Sequence, residues 1–188
     1  NDEINDNNTC AGCMNEIALN YNSDATLDCS YLYDISESTQ CCEYYSGPDW
    51  YVSIDGVDQI GGGSEQQPFS SIQYAIDNAS GGDNVYVLAG TYEETITLEN
   101  SISIIALDGP ENTIIQNSAG IFLYQSSSSS FISGFTVKNC YQGGFGENAG
   151  GAITFWYSNA TVDNMIIEDN TGVSQNGSAL QIVHASPN

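Results

Sequence analysis

The feature that most constrains this chain is a 30-residue echo in its second half. Ile102-Ser103-Ile104-Ile105, Ile132-Ser133-Gly134-Phe135 and Val162-Asp163-Asn164-Met165 recur at identical spacing. Each block opens a short apolar strand. A weaker series, Gly120-Ile121-Phe122, Gly151-Ala152-Ile153 and Ser178-Ala179-Leu180, falls between them. A fixed period in this range marks stacked repeats, in which one coil buries its apolar face only against its neighbours. Two β-rich segments per period, with no helix between them, predict an all-β solenoid, a parallel β-helix.

The charge balance narrows the partners. The 188 residues carry 24 Asp and Glu against a single basic side chain, Lys138, for a formal charge of -23. Phosphate backbones and anionic lipid both require Lys or Arg, so nucleic acid and membrane-surface binding are excluded as expectations. A solvated acidic surface in a salty exterior fits, and calcium or counter-ion association fits with it. No stretch approaches the roughly 20 apolar residues of a membrane span. The start Asn1-Asp2-Glu3 is compatible with removal of an export leader.

Five of six cysteines, Cys10, Cys13, Cys29, Cys41 and Cys42, crowd an acidic head assigned to residues 1–49, and Cys140 lies in the repeats. An even total of six, with five crowded into an acidic segment without helical patterning, predicts disulfides and an oxidising compartment. Zinc is the rival, since Cys10-x-x-Cys13 has ligand spacing, but no second such pair follows. Adjacent Cys41 and Cys42 are expected to take different partners. The odd count in the head sends one of the two to Cys140.

Within the head, Gly12-Cys13 through Ala18-Leu19-Asn20-Tyr21-Asn22-Ser23-Asp24-Ala25-Thr26 to Cys29 resembles a short Cys-bounded repeat of secreted proteins. That resemblance implies an extracellular surface protein and a Cys13–Cys29 bond, and it implies no chemistry.

Gly47-Pro48-Asp49 reads as a turn, and a second domain is assigned to residues 50–188. Trp50 to Ser53 is strand-like. A helix over 70–79 follows, with Ser70 and Gln73 spaced as a capping box and Ile72, Ala75, Ile76 and Ala79 forming its apolar stripe. Gly81-Gly82 stops it. Asp83 to Leu88 then reads as the first strand of the coil proper. The order of Gly61 to Ser64, Pro68 to Ile76, Gly82 to Val87 and Gly90-Thr91-Tyr92 resembles the entry segment of the right-handed parallel β-helix superfamily, the pectin-lyase-like fold. Gly150-Gly151-Ala152-Ile153 and Ile166 to Asn170 resemble strand pairs of surface-displayed β-helices. The resemblance extends to adhesins and other exported proteins as much as to lyases. The apolar stripe of the 70–79 helix is expected to lie over the first coil and shield that end.

In such a stack, equivalent side chains lie about 4.8 Å apart and form internal ladders. Ile105, Phe135 and Met165 are expected in one ladder, and Val137 and Ile167 in another. Asn139, Asn170 and the glycine pairs mark corners that need positive φ.

Catalytic signals are sparse. Lyases on this fold combine a cation with a basic Arg or Lys, and only Lys138 is present, at a strand end. Hydrolases need convergent carboxylates. Asp163, Glu168 and Asp169 are the nearest group, yet adjacent strand residues face opposite sides. His184 reads as a strand or surface histidine. No catalytic and no metal residue is therefore assigned.

Ser126 to Ser130 reads as a flexible corner loop, with O-glycosylation as the sharper alternative. Sequons stand at Asn7, Asn78, Asn159 and Asn176. Tyr44, Tyr45, Tyr51, Tyr141 and Tyr157 lie outside the ladders and suit sugar stacking or a protein interface, although Tyr44-Tyr45 beside Cys41-Cys42 reads first as head packing. The expected function is a secreted structural or adhesive subunit, with a carbohydrate-active enzyme or carbohydrate-binding module as the alternative. Gln181 to Ala185 is strand-like near the exit, so further chain or another copy is expected over that edge. Head-to-tail stacking, with the head or the 50–82 segment against the coil near 171–188, would build an extracellular fibre.

Overall fold

The computed structural model describes residues 11–28, 41–127, 129–142, 152–172 and 179–183. The chain divides into two compact units. One comprises Asn1–Ser46 with Gln59–Gly62; the other comprises Gly47–Asp58 with Gly63–Asn188.

Among its described residues the first unit holds two short strands. Strands β1 (Ala11–Gly12) and β2 (Leu27–Asp28) pair in parallel. Cys13 and Ala18 are its buried core, packed by Cys41, Cys42 and Tyr44. Asn20 fastens the segment after Cys41. Its amide nitrogen donates to the Cys41 carbonyl (2.9 Å) and its amide oxygen accepts from Glu43 N–H (2.9 Å). Leu19 N–H also donates to Glu43 C=O at 2.7 Å. These bonds bring Cys42 beside Cys13, and the disulfide is Cys13–Cys42, not Cys13–Cys29. Cys41 is disulfide-bonded as well, so the neighbouring cysteines do take different partners. Cys10 and Cys29 lie outside the described residues.

The second unit is a stack of parallel strands in register, the arrangement of a β-helix-like solenoid. In chain order it contains β3 (Asp49–Val52), α1 (Ile72–Asn78), β4 (Asn84–Val87), β5 (Gly90–Tyr92), β6 (Ile96–Leu98) and β7 (Ser103–Ala106). Then come β8 (Thr113–Gln116), β9 (Ile121–Tyr124), β10 (Phe131–Ser133), β11 (Thr136–Lys138) and β12 (Tyr141–Gln142). The last are β13 (Ile153–Trp156), β14 (Thr161–Asp163), β15 (Ile166–Glu168), β16 (Thr171–Gly172) and β17 (Leu180–Val183). The main sheets run β14-β10-β7-β4-β3, β15-β11-β8-β5 and β17-β13-β9-β6, and β12 pairs with β16.

Three strands per coil replace the two segments read from the repeat. The reason is a sharp corner inside the repeat block. Gly134 and Asn164 take φ of 88° and 49°, which turns the chain and splits one apolar run into strands on two sheets. Other corners stack likewise: Asn117, Asn139 and Asp169 are left-handed at one, Gln125 and Tyr157 at another. Asn139 thus has the expected geometry. Asn170 does not: Asp169 takes the positive φ, while Asn170 accepts from Cys140 N–H (2.9 Å) and donates to Val137 C=O (2.8 Å).

The coil pitch is uneven. Phe131 pairs with Thr161, thirty residues on, but Ser103 pairs with Phe131 over twenty-eight. The internal ladder therefore runs Trp50, Val85, Ile104, Ile132 and Val162. Ile105 falls in register with Ser133 and Asp163 on the outer face, which corrects the Ile105–Phe135–Met165 ladder. Phe135 is buried beyond the corner and Met165 only half-buried. Val137 and Ile167 do stack, continued by Ile115. A third ladder joins Ile96, Ile121, Ile153 and Leu180; beside it run Leu98, Leu123, Phe155 and Ile182. Each fully buried member contributes about 1.5–3 kcal/mol of apolar burial.

β3 already belongs to the stack, so the coil starts before Asp83. Phe69 stacks on Trp50 (centroids 5.8 Å) and both are buried. Helix α1 lies against β3, β4 and β6, with Ile72, Ala75 and Ile76 inward. Its N-cap is Ser71, one residue later than the capping-box reading. Gln73 instead reaches Thr97, accepting from its N–H at 2.7 Å and donating to its C=O at 3.2 Å.

Both ends of the serine run are anchored. Ser126 and Ser130 are buried, donating to Leu98 C=O (2.6 Å) and Asn100 C=O (2.9 Å) on the previous coil. Ser158 is buried at the same corner one coil on. Small hydroxyls fit here because each can satisfy a carbonyl that the turn leaves without a strand partner. Cys140 is a buried free thiol, which corrects its assignment to a disulfide. Its Sγ sits 3.4 Å from Lys138 C=O and 3.7 Å from Ser118 Oγ, packed as a small apolar side chain.

Candidate interaction surface at the open coil

The two ends of the stack differ. At the β3 end the inward residues Trp50 and Val52 are 5% and 0% exposed. At the other end, Leu180 and Ile182 are 46% and 48% exposed, although they continue ladders whose preceding members, Ile153 and Phe155, are buried. Val162 and Ile167 are half-buried where Ile132 and Val137 are fully enclosed. The cause is positional. Each inward side chain needs a coil on both sides, and among the described residues these have one. Among the described residues no strand pairs with the far edges of β14, β15 or β17. An apolar strip and three strand edges with no further strand among the described residues thus lie together, the combination that accepts another parallel strand.

The rim of this end is acidic. Asp163 closes β14, Glu168 closes β15 and Asp169 follows it, all exposed. The structure does not bring them into one group. Asp163 and Glu168 end strands of different sheets, on either side of the Asn164 corner, and among the described residues no three His, Cys, Asp or Glu side chains converge. Lys138 stands in register between Gln116 and Glu168, half-exposed on the outside of the coil. His184 lies outside the described residues, as do Asn7 and Asn176. Asn78 and Asn159 are both exposed; Asn78 donates to Tyr74 C=O at 2.8 Å.

Aromatic side chains populate the outer faces. Tyr141 and Tyr157 are exposed as expected, and Tyr44 is half-buried against the head core, where its hydroxyl accepts from Asn15 at 2.9 Å. Tyr124 and Trp156 escaped the sequence reading. They are in register on β9 and β13, and Trp156 meets Tyr157 edge-on at 6.1 Å. The signal was available, since alternation in Ile121–Tyr124 and Ile153–Trp156 places the fourth residue outward.

Among the described residues no helix is long and apolar enough to cross a membrane. No family model and no solved structure matches the chain. Over 72 residues it is 35% identical to an uncharacterized protein, YwoF, of Bacillus subtilis strain 168. That stretch is 38% of this chain and 14% of YwoF, so the likeness spans a small part of its relative's length.

Proposed function

We propose that this chain is a secreted structural or adhesive subunit of the cell exterior, a right-handed β-helix of the pectin-lyase-like type that assembles by head-to-tail stacking. The observation that carries the reading is the exposure of Leu180 and Ile182 at the end of ladders otherwise closed. On this reading α1 and Phe69 cap the entry end, and a second copy, or further chain of a longer protein, covers the exit end. The contact joins two different surfaces of identical subunits, so it propagates into a fibre. Export is supported by the disulfides of the head. The acidic surface, with one cationic side chain in the whole chain, keeps nucleic acid and anionic membranes away and associates with calcium or other counter-ions. Asn78 and Asn159 present sequons to glycosylating cells.

Electron microscopy of concentrated protein tests the assembly. Fibres are expected from the native chain, and Leu180→Lys with Ile182→Lys is expected to abolish them while leaving a folded monomer, because a buried unpaired ammonium is costly. Native protein that forms no fibre at high concentration would sink the proposal.

A second reading, a module that binds surface polysaccharide, is favoured by Tyr124, Trp156 and Tyr157 on the outside of the coil. Retention on immobilised neutral glycans, lost in Trp156→Ala, would support it; equal retention of both proteins would reject it.

A further inference from the structure

Tyr51 on β3 and Tyr86 on β4 are directly in register, on adjacent parallel strands and on the outer face. Their ring centroids are 5.4 Å apart with planes inclined by 40°. Both side chains are half-exposed, so a small oxidant reaches them. The strand spacing fixes this approach, so ring edges are held near one another without ordering a flexible loop. Asp49, two residues before Tyr51 on β3, shares that outer face and adds negative charge beside the pair. Tyr124 and Tyr157, the exposed tyrosines of the neighbouring sheet, meet Gln125 and Trp156 instead.

We infer that Tyr51 and Tyr86 form a modification site, an oxidative cross-link that staples the outermost strand of the coil to the next. The oxidant is a peroxidase with hydrogen peroxide. Each phenol loses one electron and one proton to give a phenoxyl radical with spin at the ring carbons ortho to oxygen. Two such carbons join in a new C–C bond, and the two ring hydrogens shift to the oxygens as the rings regain aromaticity. The pair thus gives up two electrons and two protons, and one peroxide takes them to become two waters. The product is dityrosine, two hydrogens lighter than the parent. β4 flanks β3 on one side, and on the other Gly63 and Phe69 bond its backbone, Tyr51 N–H to Gly63 C=O and Ser53 N–H to Phe69 C=O, both at 2.9 Å. The staple adds a covalent tie to this entry edge and opposes its local opening.

The inference is independent of the assembly proposed above. Native protein, Tyr51→Phe and Tyr86→Phe are treated with peroxidase and peroxide in a mixture that dimerises N-acetyltyrosine amide. The products are digested for mass spectrometry and their denaturant midpoints compared. The expected result is a Tyr51–Tyr86 cross-linked peptide in monomeric native protein, lost in either variant, with a raised midpoint in the cross-linked protein. Coupling of Tyr124, Tyr141 or Tyr157 between molecules with none at Tyr51–Tyr86, or no dityrosine in the protein while the small compound dimerises, would overturn it.

Discussion

Single side chains in this coil are held to strict conditions, and Thr113 fails one of them. Its hydroxyl is fully buried and is the buried side-chain polar atom among the described residues that finds no hydrogen-bond partner. Thr113→Val keeps the β-branched shape and removes the orphan, so stability should rise by about 1 kcal/mol in a denaturant titration. Tyr92 meets the condition differently. It is buried, and its hydroxyl donates to Leu88 C=O at 2.9 Å. Burial, and next the Glu94 carboxylate, push its pKa up to about 12 from 10.0. The fold therefore favours the neutral phenol. That preference is fully present below pH 10 and is lost as pH rises toward 12. The denaturant midpoint of the native protein should fall through that window, and Tyr92→Phe should flatten the fall. Glu93 has the opposite sign. Hydrogen bonds from Asn117 and then Gln116 hold its carboxyl below the usual range, so its contribution persists above that range and disappears as pH drops through the lowered value.

Among the elements, helix α1 depends on one residue from outside it. Glu94 accepts from Ser71 Oγ (2.8 Å), Ile72 N–H (2.8 Å) and Gln73 N–H (2.9 Å), satisfying donors that the first turn leaves open. Glu94→Gln removes the charge and turns an amide donor toward a backbone N–H. A loss of about 1–3 kcal/mol follows, read as a lower denaturant midpoint with early hydrogen exchange in 72–78. The strands have their own weak point at Gly120. Its φ is 88°, and a Cβ there would stand 2.2 Å from Ala152 C=O on the next coil. Gly120→Ala should cost more than about 1 kcal/mol and lower the melting temperature. Strand positions were legible from alternation, because the period of two is a property of each short segment. Register was not. Ile104 rather than Ile105 entered the ladder because the 103–131 coil is two residues shorter than the next. The cap moved from Ser70 to Ser71 because Glu94, remote in sequence, replaces the capping-box partner. Disulfide pairing was likewise hidden, since Asn20 brings Cys42 to Cys13 through side-chain hydrogen bonds that spacing does not encode.

At the scale of the whole molecule, the asymmetry of the two ends is what a sequence reader could anticipate but not measure. The residues from Gln181 read as a strand, and the structure shows that Leu180 and Ile182 of that strand lie on its core side and remain half open. The acidic surface bears on the same point. With a charge of -23 on each subunit, stacking works against repulsion, so apolar contact at the ladder ends must outweigh it and salt must help. The most direct measurement is the solution mass by sedimentation equilibrium over a range of protein concentrations at physiological salt. A mass that climbs with concentration in multiples of 20.1 kDa, and returns to that value in the Leu180→Lys, Ile182→Lys variant, is the result expected. A mass fixed at 20.1 kDa for the native chain at every concentration would contradict the account.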